Sequence, residues 1–138
     1  MNENQQAVIR HILTSYNTVA VVGFSDRDRR AAAFYAPAYL KGKGYTIIPV
    51  NPRLTTGLNR PAYPTLADVP GPVEVVLIYQ ASERVGPFVD QAIAAGAKAV
   101  WLPIGVVDEA AAERARAAGL LVVMDRCMMV EHKHLDVV

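Results

Sequence analysis

Predominantly apolar runs alternate along the chain with amphipathic stretches, and the two patterns predict strands and helices in turn. The runs TVAVV at 18–22 and VEVVLIY at 73–79 are rich in β-branched residues, which is typical of parallel strands buried on both faces. Glycines that follow the helical stretches act as stop signals. The pattern predicts strands at 18–22, 45–50, 73–79, 97–102 and 120–124, and helices at 4–13, 34–41, 83–95 and 109–118.

Three side chains refine the predicted helix boundaries. Ser82 and Asp108 each stand just before a helical stretch, where a short polar side chain can accept a hydrogen bond from the first turn. Both are therefore predicted to be N-caps. Pro37 has no backbone N–H and is tolerated in the first turn of a helix, so the second helix is predicted to begin near Phe34.

Two longer segments are predicted to lie outside the regular elements. Residues 51–72 contain five prolines and are expected to form a loop with one helical turn at 65–68. Residues 125–138 are expected to form a polar tail with at most a last turn of helix. Because the strands alternate with helices, we predict a Rossmann-like three-layer α/β sandwich with a five-stranded parallel sheet, built as a single domain over residues 1–138.

The charge balance and the single cysteine limit the kinds of partner and compartment. With 14 basic and 13 acidic side chains the net charge is +1, whereas nucleic-acid and membrane surfaces usually require a basic excess. No apolar run approaches the roughly 20 residues of a membrane span, and the N terminus lacks the pattern of a signal peptide. One cysteine excludes an internal disulfide. We expect a cytoplasmic protein with a small-molecule ligand, and no nucleic acid or membrane partner.

The segments that follow the strands are where an open α/β sheet binds its ligands. After the first strand, Gly23 allows a sharp turn, and backbone N–H groups with a helix N terminus would form an anion site. Ser25 can donate its hydroxyl, and three nearby arginines suit phosphate: Arg27, Arg29 and Arg30. The alternative is a solvated loop in which Asp26 and Asp28 offset two of these charges.

Several common motifs are absent from the sequence. No G-x-G-x-x-G follows the first strand, and Asn51 stands where an acidic residue would hold a ribose diol. The sequence also lacks the phosphate-binding loop of nucleoside triphosphatases and the G-x-S-x-G nucleophile elbow. The dinucleotide, triphosphatase and α/β-hydrolase signatures therefore do not apply.

Cys127 has two interpretations. With His132 and His134 near it in sequence it could serve as a nucleophile or join a metal site, but the spacing matches no structural zinc motif. A small buried thiol is the favoured interpretation, because cysteine is among the most buried residue types. Trp101 is predicted to be a core residue, and Tyr79 to belong either to the core or to the ligand edge.

Taken together, several motifs resemble those of a known family. These are VAVVGFS, YLKGKGYTIIPVNP, YPTLADVP, AIAAGAKAVWLPIGV and VVMDRCMMVEHKHL. The chain resembles the small stand-alone CoA-binding proteins of bacteria and archaea from about Val19 to Leu135. Those proteins are related to the N-terminal domain of the succinyl-CoA synthetase α subunit. PVNP after the second strand combined with DRC after the fifth makes the resemblance fairly specific.

The resemblance implies coenzyme A as the ligand and an approximate placement for it. It implies phosphate contacts at Gly23, Phe24, Ser25 and Arg30, an adenine-side wall at Val50, Asn51 and Pro52, a strand-end site at Tyr79 and Gln80, and a pantetheine path along Ile104 and Gly105. Gln80 stands where the family often has arginine.

The resemblance also bears on catalysis. In the synthetase the phosphorylated histidine and the nucleotide site lie in other domains, for which residues 1–138 offer no room. We expect a protein that binds CoA or an acyl-CoA without catalysing a reaction. Two alternatives stay open: a small NAD(P)-linked or thiol-dependent enzyme using the same cleft, and a regulatory or scaffolding domain that the ligand stabilises.

Overall fold

Five parallel strands form the central sheet of the protein, and helices cover both of its faces. A computed structural model describes residues 3–135. The elements are α1 (Glu3–Ser15), β1 (Thr18–Val22), α2 (Ala32–Gly42), β2 (Thr46–Val50), β3 (Thr56–Gly57), β4 (Arg60–Pro61), β5 (Val75–Ile78), α3 (Val85–Ala94), β6 (Ala99–Trp101), α4 (Glu109–Ala117), β7 (Leu121–Val123) and α5 (Met128–Leu135). Short 3-10 turns occupy Leu66–Asp68 and Ser82–Arg84.

The order of the strands across the sheet is β2-β1-β5-β6-β7, and each neighbouring pair is parallel. The chain moves outward from β1 to β2 and then returns to build the other half of the sheet from β5. The order therefore reverses between β1 and β5, and ligands of such sheets bind beyond the carboxyl ends of the strands at that point. The predicted Rossmann-like α/β fold with a five-stranded parallel sheet is confirmed.

Strand β1 shows why continuous apolar runs are required here. Successive side chains of a strand point to opposite faces. Ala20 and Val22 accordingly join the core beneath α3 and α4, whereas Val19 and Val21 join the core beneath α1, α2 and α5. A polar residue at any of these four positions would be buried, so the alternation expected of a half-exposed strand is absent.

Helix α2 begins at Ala32, two residues before the predicted start, and Pro37 lies inside it rather than in its first turn. Pro37 lacks the N–H that would bond the carbonyl of Ala33 four residues earlier. The Ser25 N–H donates to that carbonyl instead, at 3.4 Å. The proline is accommodated because the loop after β1 supplies the missing donor.

The predicted N-cap role of Ser82 is wrong, whereas that of Asp108 is confirmed. Asp108 Oδ1 accepts from the Ala111 N–H at 3.0 Å at the start of α4. Ser82 begins a 3-10 turn, and its Oγ donates to the Gly105 carbonyl at 3.2 Å and accepts from the Val107 N–H at 3.0 Å. Ser82 therefore joins the segments that follow β5 and β6.

The expectation of a polar C-terminal tail is wrong for residues 128–135, which form α5. Met128 is fully buried, and Trp101 Nε1 donates to the Arg126 carbonyl at 2.7 Å just before the helix begins. Residues 136–138 of the predicted tail lie outside the described residues. The sequence pattern missed α5 because three of its apolar residues are consecutive, at 128–130, rather than spaced along one helical face, and its last turn carries three basic side chains.

The loop after β2 is more ordered than its prolines suggested. The predicted turn at 65–68 is present, with Asp68 Oδ2 accepting from the Thr65 N–H at 3.2 Å. The loop also holds the antiparallel pair β3–β4. Leu58 and Asn59 between them both have positive φ, the requirement of a tight type I′ hairpin turn. Lys41 Nζ on α2 donates to the Leu58 carbonyl, which attaches the hairpin to the helix layer.

None of the helices within residues 3–135 is long and apolar enough to cross a bilayer.

Glu74 provides a test of the fold through its pH dependence. Its Oε1 accepts from the N–H groups of Thr18 and Asn17 at 3.0 and 2.8 Å, and these bonds hold the pKa of the carboxyl below its ordinary value. The stabilisation of the fold by the charged Glu74 side chain is therefore present above the pKa of this carboxyl in the unfolded state. It is lost as the pH falls through the lower pKa of the folded state. We expect Glu74→Gln to lower the free energy of unfolding by about 1 kcal/mol at pH 7 and by almost nothing at strongly acidic pH.

Urea denaturation of both proteins between pH 2 and pH 7 measures this effect. Glu113→Gln on the exposed side of α4 is the matched control and should change stability little at any pH. A Glu74→Gln deficit that stays constant down to pH 2 would show that the charge of Glu74 plays no part.

Candidate functional site

The carboxyl ends of β1, β2 and β5 meet at Gly23. The Gly23 N–H donates to the Val50 carbonyl at 2.9 Å, and the Tyr79 N–H donates to the Val22 carbonyl at 2.8 Å. Gly23 has a φ of 84°, and a Cβ at this position would overlap the carbonyl oxygen of Tyr79. Only glycine allows the three chains to come this close.

Asn51 connects the loops after β1 and β2. Its Nδ2 donates to the Phe24 carbonyl at 2.7 Å, and its Oδ1 accepts from the Arg53 N–H at 2.8 Å. The Asn51 N–H donates to the Tyr63 carbonyl at 2.9 Å. Both ends of the amide side chain bind backbone groups, so Asn51 holds the loops after β1 and β2 together at the carboxyl edge of the sheet. In dinucleotide-binding sheets an acidic residue at this position holds a ribose.

A cavity of about 530 Å³ opens at this edge, and we call it the switch-point cavity. Seven of the predicted site residues line it: Gly23, Ser25, Val50, Asn51, Pro52, Tyr79 and Gln80. Two guanidinium side chains, Arg27 and Arg53, also belong to its lining. The structure therefore brings together most of the segments that sequence reasoning selected, and it adds a positive charge from the loop after β2.

Phe24 and Arg30 are placed differently from the other predicted residues. Phe24 is fully buried beneath the β3–β4 hairpin, where its ring contacts Phe34 and fills the space left by Gly57. The Arg30 side chain is 93% exposed, and its Nε pairs with Asp28 Oδ1 at 3.1 Å. Neither residue lines the switch-point cavity. The roles implied for them by the resemblance stay predictions.

Asp28 and Arg29 also have partners within the loop after β1. The backbone N–H and the guanidinium of Arg30 hold the pKa of the Asp28 carboxyl below its ordinary value. The Arg29 guanidinium lies over the Phe34 ring, 5.1 Å from its centroid. Of the three arginines in this loop, Arg27 is the one that lines the cavity.

A second cavity of about 600 Å³ lies beside the first, and we call it the distal cavity. Tyr79 and Gln80 line both cavities and form a shared wall between them. The rest of the distal lining comes from α2 and from the segments after β5, β6 and β7: Ala32, Tyr35, Ala81, Arg84, Pro103, Ile104, Val106 and Cys127.

Ile104 and Gly105, the predicted pantetheine path, belong to the loop beside the distal cavity. Ile104 lines the cavity with its side chain 69% exposed. Gly105, with a φ of 85°, is held by Ser82 and by Asp125 Oδ1, which accepts from the Gly105 N–H at 2.7 Å. Gly105 fixes the loop rather than lining the cavity.

Tyr79 and Cys127 both lie on the wall of the distal cavity. Burial, together with the nearby thiol of Cys127 and phenol of Tyr35, raises the pKa of Tyr79 well above its ordinary value, so the phenol stays uncharged. Cys127 is only 9% exposed, which confirms the interpretation as a buried thiol. Tyr79 lines both cavities and also packs against the core.

The histidines near Cys127 turn away from it into other contacts. His132 Nδ1 lies 2.8 Å from the Tyr39 hydroxyl, and His134 lies beside Glu131 on α5. Within residues 3–135, no group of three or more histidine, cysteine or acidic side chains is arranged to hold a metal ion.

Sequence reasoning missed Arg53, Tyr35 and Arg84. Arg53 follows Asn51-Pro52 at the end of β2, and that position was a signal that could have found it. Tyr35 and Arg84 come from α2 and the 3-10 turn, and their approach to the edge depends on how these elements pack. The sequence pattern does not show how close α2 and the 3-10 turn come to the carboxyl ends of the strands.

A parallel sheet with a glycine turn at the strand-order reversal, and two adjoining cavities at that edge, is the usual arrangement of an α/β domain that binds a small molecule beyond its strand ends. The profile of the CoA binding domain matches residues 17–133. The chain belongs to this CoA-binding family, and the resemblance seen in its motifs is confirmed.

Three relatives show how well the whole chain matches. The uncharacterized protein YneT of Bacillus subtilis (strain 168) is 33% identical over 132 residues, covering 96% of this chain and 97% of that protein. A hypothetical protein from Pyrococcus horikoshii OT3 is 39% identical with a TM-score of 0.86, covering 94% of this chain and 91% of that one. A Thermus thermophilus protein, cell-free ID.343, is 33% identical with a TM-score of 0.88, covering 98% and 99%.

Proposed function

We propose that this protein binds coenzyme A, with the nucleotide in the switch-point cavity and the pantetheine arm passing Tyr79 and Gln80 toward the distal cavity. The observation that carries the proposal is the shared wall between the two cavities. An elongated molecule with an anionic nucleotide at one end and a neutral arm at the other fits a cavity lined by two arginines that continues into a largely apolar one. Membership of the CoA-binding family supports the same ligand.

In this proposal Arg27 and Arg53 hold the phosphates. A guanidinium presents a planar fork of N–H donors that matches phosphate oxygens in pairs. The N terminus of α2 at Ala32 lies at the edge of the distal cavity and adds the positive end of a helix dipole near the junction. Gly23 contributes indirectly, because its lack of a Cβ allows the close approach to Tyr79 that shapes this edge of the cavity.

We further propose that the protein binds this ligand without catalysing a reaction on it. Among the described residues that line the two cavities there is no carboxylate and no imidazole, the groups that most often act as general bases. The one thiol, Cys127, is buried in the wall. The lining consists of groups that bind and shield a ligand.

Thermal denaturation with and without ligands tests the proposal. At a CoA concentration about 100 times its dissociation constant, we expect about 2.7 kcal/mol of added stability. For a chain of this size that corresponds to a rise in Tm of roughly 10 °C.

The panel includes dephospho-CoA, NAD(H), NADP(H) and ATP as comparisons. CoA should give the largest rise in Tm. A rise with NAD(H) and none with CoA would overturn the proposal and favour the NAD-linked enzyme. No rise with any member of the panel would also overturn it.

A further inference from the structure

Two large apolar side chains remain exposed at the distal cavity. Among the side chains that the structure describes, the large exposed apolar ones are Tyr35 at 40%, Ile104 at 69% and Val107 at 42% exposure. Tyr35 and Ile104 line the distal cavity, whereas Val107 lines a separate cavity beside α1 and α4. Scattered exposed apolar residues need no explanation, but two of them on the rim of one cavity mark a surface that can bind an apolar group.

The interior of the distal cavity is also largely apolar. Ala32 and Ala81 contribute methyl groups, Pro103 contributes its ring, and the phenol of Tyr79 is kept neutral by its burial. Arg84 is the cation in this lining, and it is the last residue of the 3-10 turn that precedes α3. The thiol and β-mercaptoethylamine end of pantetheine would leave much of such a cavity unfilled.

The size of the cavity supports the same conclusion. A cavity of about 150 Å³ is enough to hold benzene, which has six carbon atoms. The distal cavity is about 600 Å³ but is broadly open to solvent, so only part of that volume would enclose a bound group. It has room for the end of the pantetheine arm together with an apolar chain of about four to eight carbons.

The connection between the two cavities indicates which kind of ligand could place an aliphatic chain in the distal cavity. The route across Tyr79 and Gln80 runs from the arginine-lined cavity to the apolar one. In CoA the order is nucleotide, pantetheine, sulfur, and then whatever group the sulfur carries. A group attached as a thioester is therefore the part of the molecule that reaches the apolar cavity.

We propose that the distal cavity is an acyl subsite, and that the ligand of this protein is a CoA thioester with a short to medium aliphatic chain rather than free CoA. The inference rests on the proposed binding of CoA. Tyr35, Ile104 and Val106 contact the chain, and Tyr79 separates it from the nucleotide. Each methylene fully removed from water strengthens binding about four-fold, and in a half-open cavity about two-fold is expected.

Isothermal titration with CoA, acetyl-CoA, butyryl-CoA, hexanoyl-CoA and octanoyl-CoA tests the subsite. Hexanoyl-CoA should bind roughly 15-fold more tightly than acetyl-CoA, four methylenes at about two-fold each. Competition by free CoA should show that both ligands use one site. Equal affinity for CoA and hexanoyl-CoA would overturn the acyl subsite and leave CoA binding standing, whereas no binding of any member of the series would overturn the proposed function.

Tyr35→Ser tests the assignment of the wall. It removes an apolar ring from the cavity at a position that is 40% exposed, so the fold is expected to tolerate it. The ratio of the dissociation constant of CoA to that of hexanoyl-CoA should fall at least three-fold. Val107→Ser is the matched control, with 42% exposure and a side chain outside the distal lining, and should keep the ratio of the unmodified protein.

A second copy of this chain is the other occupant that an exposed apolar surface could have. Sedimentation of the unmodified protein and of Tyr35→Ser distinguishes the two. A dimer that Tyr35→Ser dissociates, combined with no dependence of affinity on chain length, would assign the surface to self-association and overturn the acyl subsite. The acyl subsite is supported if affinity rises with the length of the acyl chain and the unmodified protein and Tyr35→Ser have the same oligomeric state.

Discussion

Gly23→Ala is expected to lower the free energy of unfolding by about 3 kcal/mol and to weaken CoA binding strongly. A φ of 84° places this residue in the left-handed region, where a Cβ costs about 1–2 kcal/mol. The added Cβ would also overlap the Tyr79 carbonyl oxygen, which is backbone and cannot turn aside. Forcing such an overlap costs about 1–3 kcal/mol. Urea denaturation gives the stability and titration with CoA gives the affinity.

Gly71→Ala is the matched control for this change. Gly71 has the same φ of 84°, but a Cβ there would meet nothing within 4 Å. It should show the backbone cost alone, about 1–2 kcal/mol, and leave the affinity for CoA unchanged. If the two variants lose equal stability, the close approach of Gly23 to Tyr79 has no energetic role.

The second large effect is expected from the double substitution Arg27→Ala and Arg53→Ala, which should weaken CoA binding more than 100-fold. Each guanidinium lines the switch-point cavity, and each charge-assisted hydrogen bond to a phosphate contributes about 1.5–3 kcal/mol. Two bonds near the lower end of that range sum to about 3 kcal/mol, which corresponds to a factor above 100. Calorimetric titration measures the loss, and higher salt should reduce it because the cavity is open to solvent.

Two single substitutions serve as comparisons for the double variant. Arg10→Ala on α1 removes a cation from another side of the molecule and should leave affinity as it is. Arg30→Ala tests the sequence-based assignment directly. An affinity loss for Arg30→Ala that exceeds those of the separate Arg27→Ala and Arg53→Ala variants would return the phosphate contact to Arg30 and contradict the placement proposed here.

The fold could be predicted from the sequence because its strands are buried on both faces. A run such as TVAVV has few other structural solutions, and the glycines after the helices mark where the chain reverses. The two-residue error at the start of α2 and the missed helix α5 have tertiary causes. Ser25 supplies the donor that makes Pro37 acceptable inside α2, and packing of Met128 on the sheet holds a helix with a weak pattern.

The site was predictable in outline but not in the detail of its side chains. Gly23, Asn51 and Tyr79 follow from the rule that ligands bind where parallel strands end, and the structure places all three at one cavity. The family resemblance placed a phosphate contact at Arg30, and that role stays a prediction; in the structure its guanidinium pairs with Asp28, two residues away. Phe24 is covered by a hairpin whose two-residue strands are too short to leave a sequence pattern.

The wall formed by Tyr79 and Gln80 has a thermodynamic consequence. A molecule that spans both cavities is bivalent, because its two ends occupy separate sites joined by a short tether. Once one end is bound, the other binds at an effective concentration that the tether sets, which is in the millimolar range for short flexible linkers. Either end alone therefore binds far more weakly than the whole, and the geometry of the wall selects for the intact ligand over its fragments.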